Sequence, residues 1–363
     1  MKADAPANRT RTPEPAGLHR EIPLAPLTTL GVGGPARYFL EAKSVPAARR
    51  ALAWAESRGL PVFVLGGGSN VVVADRGFQG LVLRTAISGT RSEVSGSEAR
   101  IEAGAGESWD GLVSRAVEEG WAGIECLSGI PGLVGATPIQ NVGAYGQEVA
   151  ETVEEVEAID RATGELVRIP ADRCGFSYRH SRFKEHPDRH LITRVRFRLR
   201  TGGPPALRYE ELESAVSGNP TLGEVRKTVL RIRSSKGMVV DPEDPDSRSG
   251  GSFFLNPILS PEALARLEES LPEEREPPRY RVEGGFKVPA AWLIEEAGFP
   301  RGFRWKGVGL SSKHALALVN RGGATARQVR TLAGRIQERV RERFGVDLEP
   351  EPRFVGFDGE EPR

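Results

Sequence analysis

Two hydrophobic rhythms run along this chain, and they change wherever glycine or proline intervenes. Residues 44–59, "SVPAARRALAWAESRG", carry apolar groups at helical spacing. Ser44 suits the N-cap, Pro46 the first turn and Gly59 the stop. The short apolar run Val62–Leu65 reads as a buried strand that enters three glycines. Further strands are predicted at residues 80–85, at 99–106 and at 192–199, where alternation is cleanest. Residues 109–121 predict a second helix, so the first half of the chain reads as α/β. "VEEVEAID" and "GELVRIP" flank residues 161–164, a hairpin turn. Residues 222–236 predict an amphipathic helix, and residues 325–345 a longer one. In the latter, Thr325 and Gln328 fit a capping box and Gly345 the stop. Val329, Leu332, Ile336, Val340 and Phe344 share one face, a packing stripe.

Between these segments lie stretches with neither rhythm. "LGGGSN" follows a strand, so Gly66, Gly67 and Gly68 could converge backbone N–H groups on an anion, with Ser69 and Asn70 adding hydrogen bonds. An ordinary tight turn is the competing reading. The stretch lacks the Gly-Lys-Ser/Thr ending of a P-loop and the G-x-G-x-x-G spacing of a dinucleotide fold. "GVGGPA" at residues 31–36 has no strand-to-helix context either. Residues 129–146, "GIPGLVGATPIQNVGAYG", can be neither a regular helix nor a central strand. Their apolar members argue against disorder, which favours backbone wrapped around a ligand. "GGSFFLNP" at residues 250–257 sets Ser252 between two glycines and two phenylalanines, with no nucleophile elbow and no adjacent base. Turn plus core is its plain reading.

Composition narrows the function classes. With 363 residues, two or three domains are expected. Fifty basic and 49 acidic residues leave a formal charge of +1, which gives no long-range field for nucleic acid or an anionic membrane. Cys126 and Cys174 are the two cysteines, too few for a disulfide framework or a four-thiolate metal site. A reducing cytoplasm is therefore expected. His19, His180, His186, His190 and His314 show no metal-ligand spacing, so no metal is expected. His180, His186 and His190 read as solvated side chains of a polar loop. No run is apolar enough for a membrane span, and the first twenty residues read as a disordered arm, not a signal peptide.

Eight motifs in order carry a resemblance: "TTLGVGGPA", "LGGGSN", "GIPGLVGATPIQNVGAYG", "YRHSRFK", "RSSKGM", "GGSFFLNP", "AAWLIEEAG" and "LEPEPRFVG". Together, from about residue 27 to residue 356, they resemble the UDP-N-acetylenolpyruvoylglucosamine reductase family, in its branch with a tyrosine loop over the substrate. The resemblance implies an α+β fold: an FAD-binding domain of the vanillyl-alcohol-oxidase (PCMH) type and a smaller C-terminal α+β substrate domain. The implied division is an arm at 1–20, FAD-binding subdomains at 21–87 and 88–236, the substrate domain at 237–357 and a tail at 358–363.

The same resemblance implies FAD and NADPH as cofactors and UDP-N-acetylglucosamine enolpyruvate as the small-molecule partner. Oligomeric state stays open, with a monomer as the default. Gly66, Gly67, Gly68, Ser69 and Asn70 would hold the FAD pyrophosphate. Gly129, Ile130, Pro131, Gly135, Ala136, Gln140, Asn141, Gly143, Ala144 and Tyr145 would wrap the flavin. Arg179 matches the arginine that polarises the substrate carboxylate, Ser252 the proton donor and Glu349 the catalytic acidic residue. Tyr209, Lys236, Asn256 and the residue at 296 match positions that bind the UDP-sugar. Here the chain departs from the family, having Glu296 where Gln is usual, and a carboxylate cannot donate as an amide does. Two alternatives are a flavin oxidase using O₂ and a non-catalytic nucleotide-sugar module. Peroxide formation with an alcohol donor would mark the first, and failure to bind FAD the second.

Overall fold

The computed structural model describes residues 12–357. It divides into two compact units that are not contiguous in sequence. The first comprises the described residues up to Ile22, then Ala36–Gly67 and Phe78–Leu230; the second comprises Pro23–Pro35, Gly68–Gly77 and the chain from Arg231. The implied blocks 21–87, 88–236 and 237–357 were consecutive, so the short segments 23–35 and 68–77 group differently. The expected tail at 358–363 lies outside the described residues.

In the first unit, strands His19–Pro23, Pro35–Ala42, Phe78–Thr85 and Val62–Leu65 form one sheet in that spatial order. Pro35–Ala42 and Val62–Leu65 both run parallel to Phe78–Thr85. Helix Val45–Glu56 buries Ala48, Ala51, Trp54 and Ala55, and its N-cap Ser44 accepts from the Ala47 N–H, as its spacing predicts. Trp54 packs edge-on to Tyr38 over Leu81, Leu83, Ile159 and Leu191. The disordered arm predicted at 1–20 is corrected for residues 12–20, and residues 1–11 lie outside the described residues: Leu18 packs against this cluster, Thr12 accepts from Arg58, and His19–Pro23 adds an edge strand. A charged edge strand with one partner has no alternation to betray it.

A second, antiparallel sheet orders Leu166–Pro170, Val153–Asp160, His190–Thr201, Glu98–Gly104 and Thr90–Ser95. Its inner face is covered by helix Trp109–Glu118, with Trp109 tilted against Phe197 at 5.7 Å. The hairpin expected at 161–164 forms, with Gly164 at φ +73°. His190 corrects the solvated reading: it begins a central strand, packs edge-on to Phe183, and burial pushes its imidazole below the ordinary range.

The second unit packs around helix Ala326–Phe344, which buries the five predicted face residues. Both bonds of its Thr325–Gln328 capping box are present, and Gly345 closes it at φ +66°. Strands Arg304–Trp305, Val308–Leu310 and Leu318–Asn320 form one small sheet. Val71–Val73 lies parallel to Arg353–Val355, so residues from opposite ends of the chain share this unit. Gly34 lets two loops cross here, since a Cβ there would stand 2.1 Å from the Asp75 carbonyl oxygen. Among the described residues no helix is long and apolar enough to cross a membrane, and no His, Cys, Asp and Glu cluster could hold a metal.

Candidate functional site

The first unit brings two glycine motifs together. Strand Val62–Leu65 delivers Gly66 and Gly67 against residues 132–136: a Cβ on Gly67 would lie 2.6 Å from Gly132 Cα, and one on Gly66 3.4 Å from Ala136 Cβ. Within the described residues, the Gly67 and Gly132 N–H groups donate no hydrogen bond. Bare backbones in close contact, with N–H donors unspent at their rim, suit an anion such as a phosphate that must lie close to the chain. The residues therefore fit FAD.

The glycine block is a fixed loop. Val134 and Gly135 donate to the carbonyls of Glu107 and Ala105, and Trp109 donates to that of Gly132. A Cβ on Gly135 would stand 2.5 Å from Ala105 Cβ, so only glycine allows that approach. Ile130 packs on the core beside buried Gly129, and Pro131 and Gln140 are half-buried. Gly143–Ala144 pairs with Gln147–Glu148 through a turn whose central residues, Tyr145 and Gly146, have φ +49° and +78°. Two successive positive φ values define the hairpin turn that matches strand twist, and Tyr145 takes the costlier place in it. Tyr209 meets Tyr145 edge-on at 5.5 Å and remains exposed.

Asn141 and Arg179 also have positive φ, +44° and +52°. Asn141 is 1% exposed, and its side chain is spent on structure. Its amide donates to Glu148 and to the Ser177 carbonyl, and its oxygen accepts from Ala150. Arg179 donates to the carbonyls of Gly143 and Asn141 and lies 3.7 Å from Glu148. Its guanidinium is thus delivered to the lip of the glycine loop, where a substrate carboxylate could exchange for carbonyl partners.

Sequence reasoning missed the groups that brace this loop. Asp110, in the first turn of its helix, accepts from the Gly129 N–H at 2.6 Å and receives the Arg226 fork at 2.7 and 2.9 Å. An acid at a helix start is a weak signal, because capping alone explains it. Glu125 is fully buried and takes N–H bonds from Gly123, Ala206 and Gln147. Beside it, Cys126 donates to the Ala206 carbonyl, and burial pushes its thiol up to about 12. Burial does the same for Cys174.

In the second unit, Phe254 bridges Pro350 antiparallel, with Leu255 donating to the Glu349 carbonyl and Glu351 to that of Phe253. The segments carrying Ser252 and Glu349 are therefore held side by side by this bridge. Phe253 and Phe254 are buried, which fixes the turn, and Gly251 adopts φ +74°. Gly250 meets nothing closer than 3.7 Å, so no crowding demands glycine there. Ser252 is half-exposed, and within the described residues no hydrogen bond engages its hydroxyl. Glu349 is exposed. Asn256 accepts the Ala290 N–H at 2.8 Å through its amide oxygen, satisfying the first N–H of helix Ala290–Glu296. Lys236 is half-buried one residue before Gly237, whose φ is +66°. Ser69 and Asn70 belong to this unit, where Asn70 donates to the Glu351 carbonyl. Glu296 is paired with Arg275, and Arg343 donates to its carbonyl while standing 4.0 Å from its carboxylate. Arginines thus occupy the carboxylate that stands in the amide's place.

Known proteins agree with these two halves. A family model described as an FAD binding domain matches residues 36–170, and one described as the UDP-N-acetylenolpyruvoylglucosamine reductase C-terminal domain matches residues 242–355. The reductase of that name from Streptomyces coelicolor is 47% identical over 358 residues, spanning 96% of this chain and 92% of its own. That from Thermobifida fusca is 47% identical over 348 residues, spanning 93% and 98%. The crystal structure of the Thermus caldophilus reductase matches with a TM-score of 0.63 at 27% identity, covering 93% of this chain and 98% of that one. With such relatives matching nearly its whole length, the chain belongs to the UDP-N-acetylenolpyruvoylglucosamine reductase family and is a flavin-dependent oxidoreductase that reduces this nucleotide sugar with FAD.

Proposed function

We propose that NADPH is the reductant and that the enolpyruvyl group is reduced by hydride and proton in separate places. FAD, held by residues 66–70 and 129–145, would supply the hydride relay between NADPH and the methylene carbon of the enolpyruvyl double bond. The adjacent carbon then bears negative charge shared with its carboxylate, so the protein must offer a cation and a proton. Arg179 supplies the cation at the carboxylate. Ser252 gives its hydroxyl proton to the carbon, leaving a lactyl ether and NADP⁺ as products, and recovers a proton from solvent. Glu349 is the acidic residue on the segment bridged to the Ser252 turn. Backbone N–H groups of residues 66–70 bind the FAD pyrophosphate, and residues 129–145 enclose the ring. Lys236, Asn256, Tyr209 and Glu296 contact the UDP-sugar.

The observation that carries the proton assignment is the Ser252 turn. Among the described residues its hydroxyl has no hydrogen-bond partner, and the buried Phe253 and Phe254 anchor the turn. No neighbouring base is needed, because the hydroxyl donates to a carbanion and does not attack a carbonyl. Anaerobic stopped-flow spectroscopy of Ser252→Ala tests it. NADPH should bleach the flavin at the wild-type rate, and the enolpyruvyl substrate should restore colour at least about a hundredfold more slowly, as general acids contribute 10²–10⁴. Equal damage to both phases would contradict the assignment.

A further inference from the structure

One buried charge braces the stretch that leads to Ser252. Asp246 is 2% exposed. Its carboxylate accepts the Ser312 hydroxyl at 2.5 Å and the Ser312 N–H at 3.2 and 3.3 Å, and it pairs with Arg321 at 2.6 Å. Arg321 is anchored in turn, donating from its guanidinium to the Leu310 carbonyl at 2.8 Å and from its backbone to that of Gly307. On the upstream side, a Cβ on Gly237 would lie 3.1 Å from Asp246 Cβ, so Asp246 rests against the residue that follows Lys236. On the downstream side, Arg248 accepts from Asn320, Ser249 bridges Val319, and Phe253 donates to Leu316. Residues 310–321 thus form one rail, and Asp246 is the charged pin that fastens the 236–252 stretch to it. Burial alone would push the carboxyl up, but the Ser312 donors and Arg321 outweigh it and hold it below the ordinary carboxylate range.

We propose that Asp246 is a positioning residue for substrate reduction, setting Lys236 and Ser252 jointly through Ser312 and Arg321. This rests on the reading of Ser252 as proton donor. Charge-assisted bonds in a buried setting are stiff enough for the task, and proton transfer tolerates little displacement. A purely structural role would change the amount of folded enzyme, not the balance between its two half-reactions.

The test compares full-length, FAD-loaded wild type, Ser312→Ala, Asp246→Asn and Ser252→Ala by anaerobic stopped flow. Ser312→Ala removes the hydroxyl donor yet leaves Arg321 in place, so it decides the matter should Asp246→Asn fail to fold. For both positioning variants, bleaching by NADPH should stay within about twofold of wild type, while reoxidation by the enolpyruvyl substrate slows about tenfold or more. The substrate concentration for half-maximal reoxidation should also rise, because Lys236 moves with Ser252. Equal slowing of both phases, or no slowing of either in Ser312→Ala, would overturn the inference. A Ser252→Ala enzyme that reoxidises at the wild-type rate would remove the proton-donor reading itself. Slow Ser252→Ala beside normal Ser312→Ala and Asp246→Asn would remove only the positioning inference.

Discussion

Asn141, expected among the flavin contacts, also holds its own loop together. Its sequence context places it among flavin contacts, yet its buried amide makes three bonds that fold the loop. Asn141→Ala should therefore cost about 2 kcal/mol of stability, since it strands the Ala150 N–H and the Ser177 carbonyl. Urea unfolding of the flavin-free protein measures this, and an unchanged midpoint would show that the amide is dispensable. Glu296 makes the opposite case. Its arginine partners are substantially exposed, and exposed pairs contribute little. Glu296→Gln should keep turnover within about tenfold, or roughly 1.4 kcal/mol in barrier; a larger loss in steady-state assay would assign the carboxylate a specific task. The order of motifs singles out Arg179, Ser252 and Glu349 as candidates. Asp110 and Asp246 are not legible there, because each acts on groups distant in sequence and reads like any surface acid in the chain.

Local elements were the most readable level. Ser44, Thr325, Gln328 and Gly345 do what their spacing predicts, because capping is decided within one turn. Pairings were hidden. "VVV" at Val71–Val73 gives no hint that its partner is Arg353–Val355, and "HREIP" hides an edge strand among charges. The glycine segments show both sides: their composition announced a loop, but only the structure sets Gly67 on Gly132. Gly67→Ala must push the loops apart. We expect FAD to dissociate at least about tenfold more readily, a change of 1.4 kcal/mol in binding, with the folded secondary structure retained. Flavin fluorescence on dilution reads this out, and undiminished retention would show that the close approach is not part of the cradle.

At the scale of the molecule, each unit has its own apolar core, and each carries different chemistry. The first holds Gly66, Gly67, residues 129–146 and Arg179, the second Gly68, Ser69, Asn70, Ser252, Glu349 and Lys236. The two-part organisation was foreseeable from length and motif order. The sharing of residues 23–35 and 68–77 with the C-terminal unit was not, since it depends on long-range pairing. The second unit should show acid sensitivity centred on Asp246. A carboxyl held below its ordinary value stabilises the fold above about pH 4 and loses that contribution as pH falls through its lower folded value. The stability gap between wild type and Asp246→Asn should therefore be full at pH 7 and narrow below about pH 4. A gap that stays constant in urea titrations across that range would contradict the ion-pair account.

The central claim is that one bound flavin carries reducing equivalents from NADPH to the enolpyruvyl sugar nucleotide. Its most direct test is the visible absorbance of the purified, FAD-loaded protein under anaerobic conditions. NADPH should bleach the flavin band, and one equivalent of UDP-N-acetylglucosamine enolpyruvate should then restore it, with the lactyl ether as product. A flavin that stays bleached until oxygen is admitted would contradict the account.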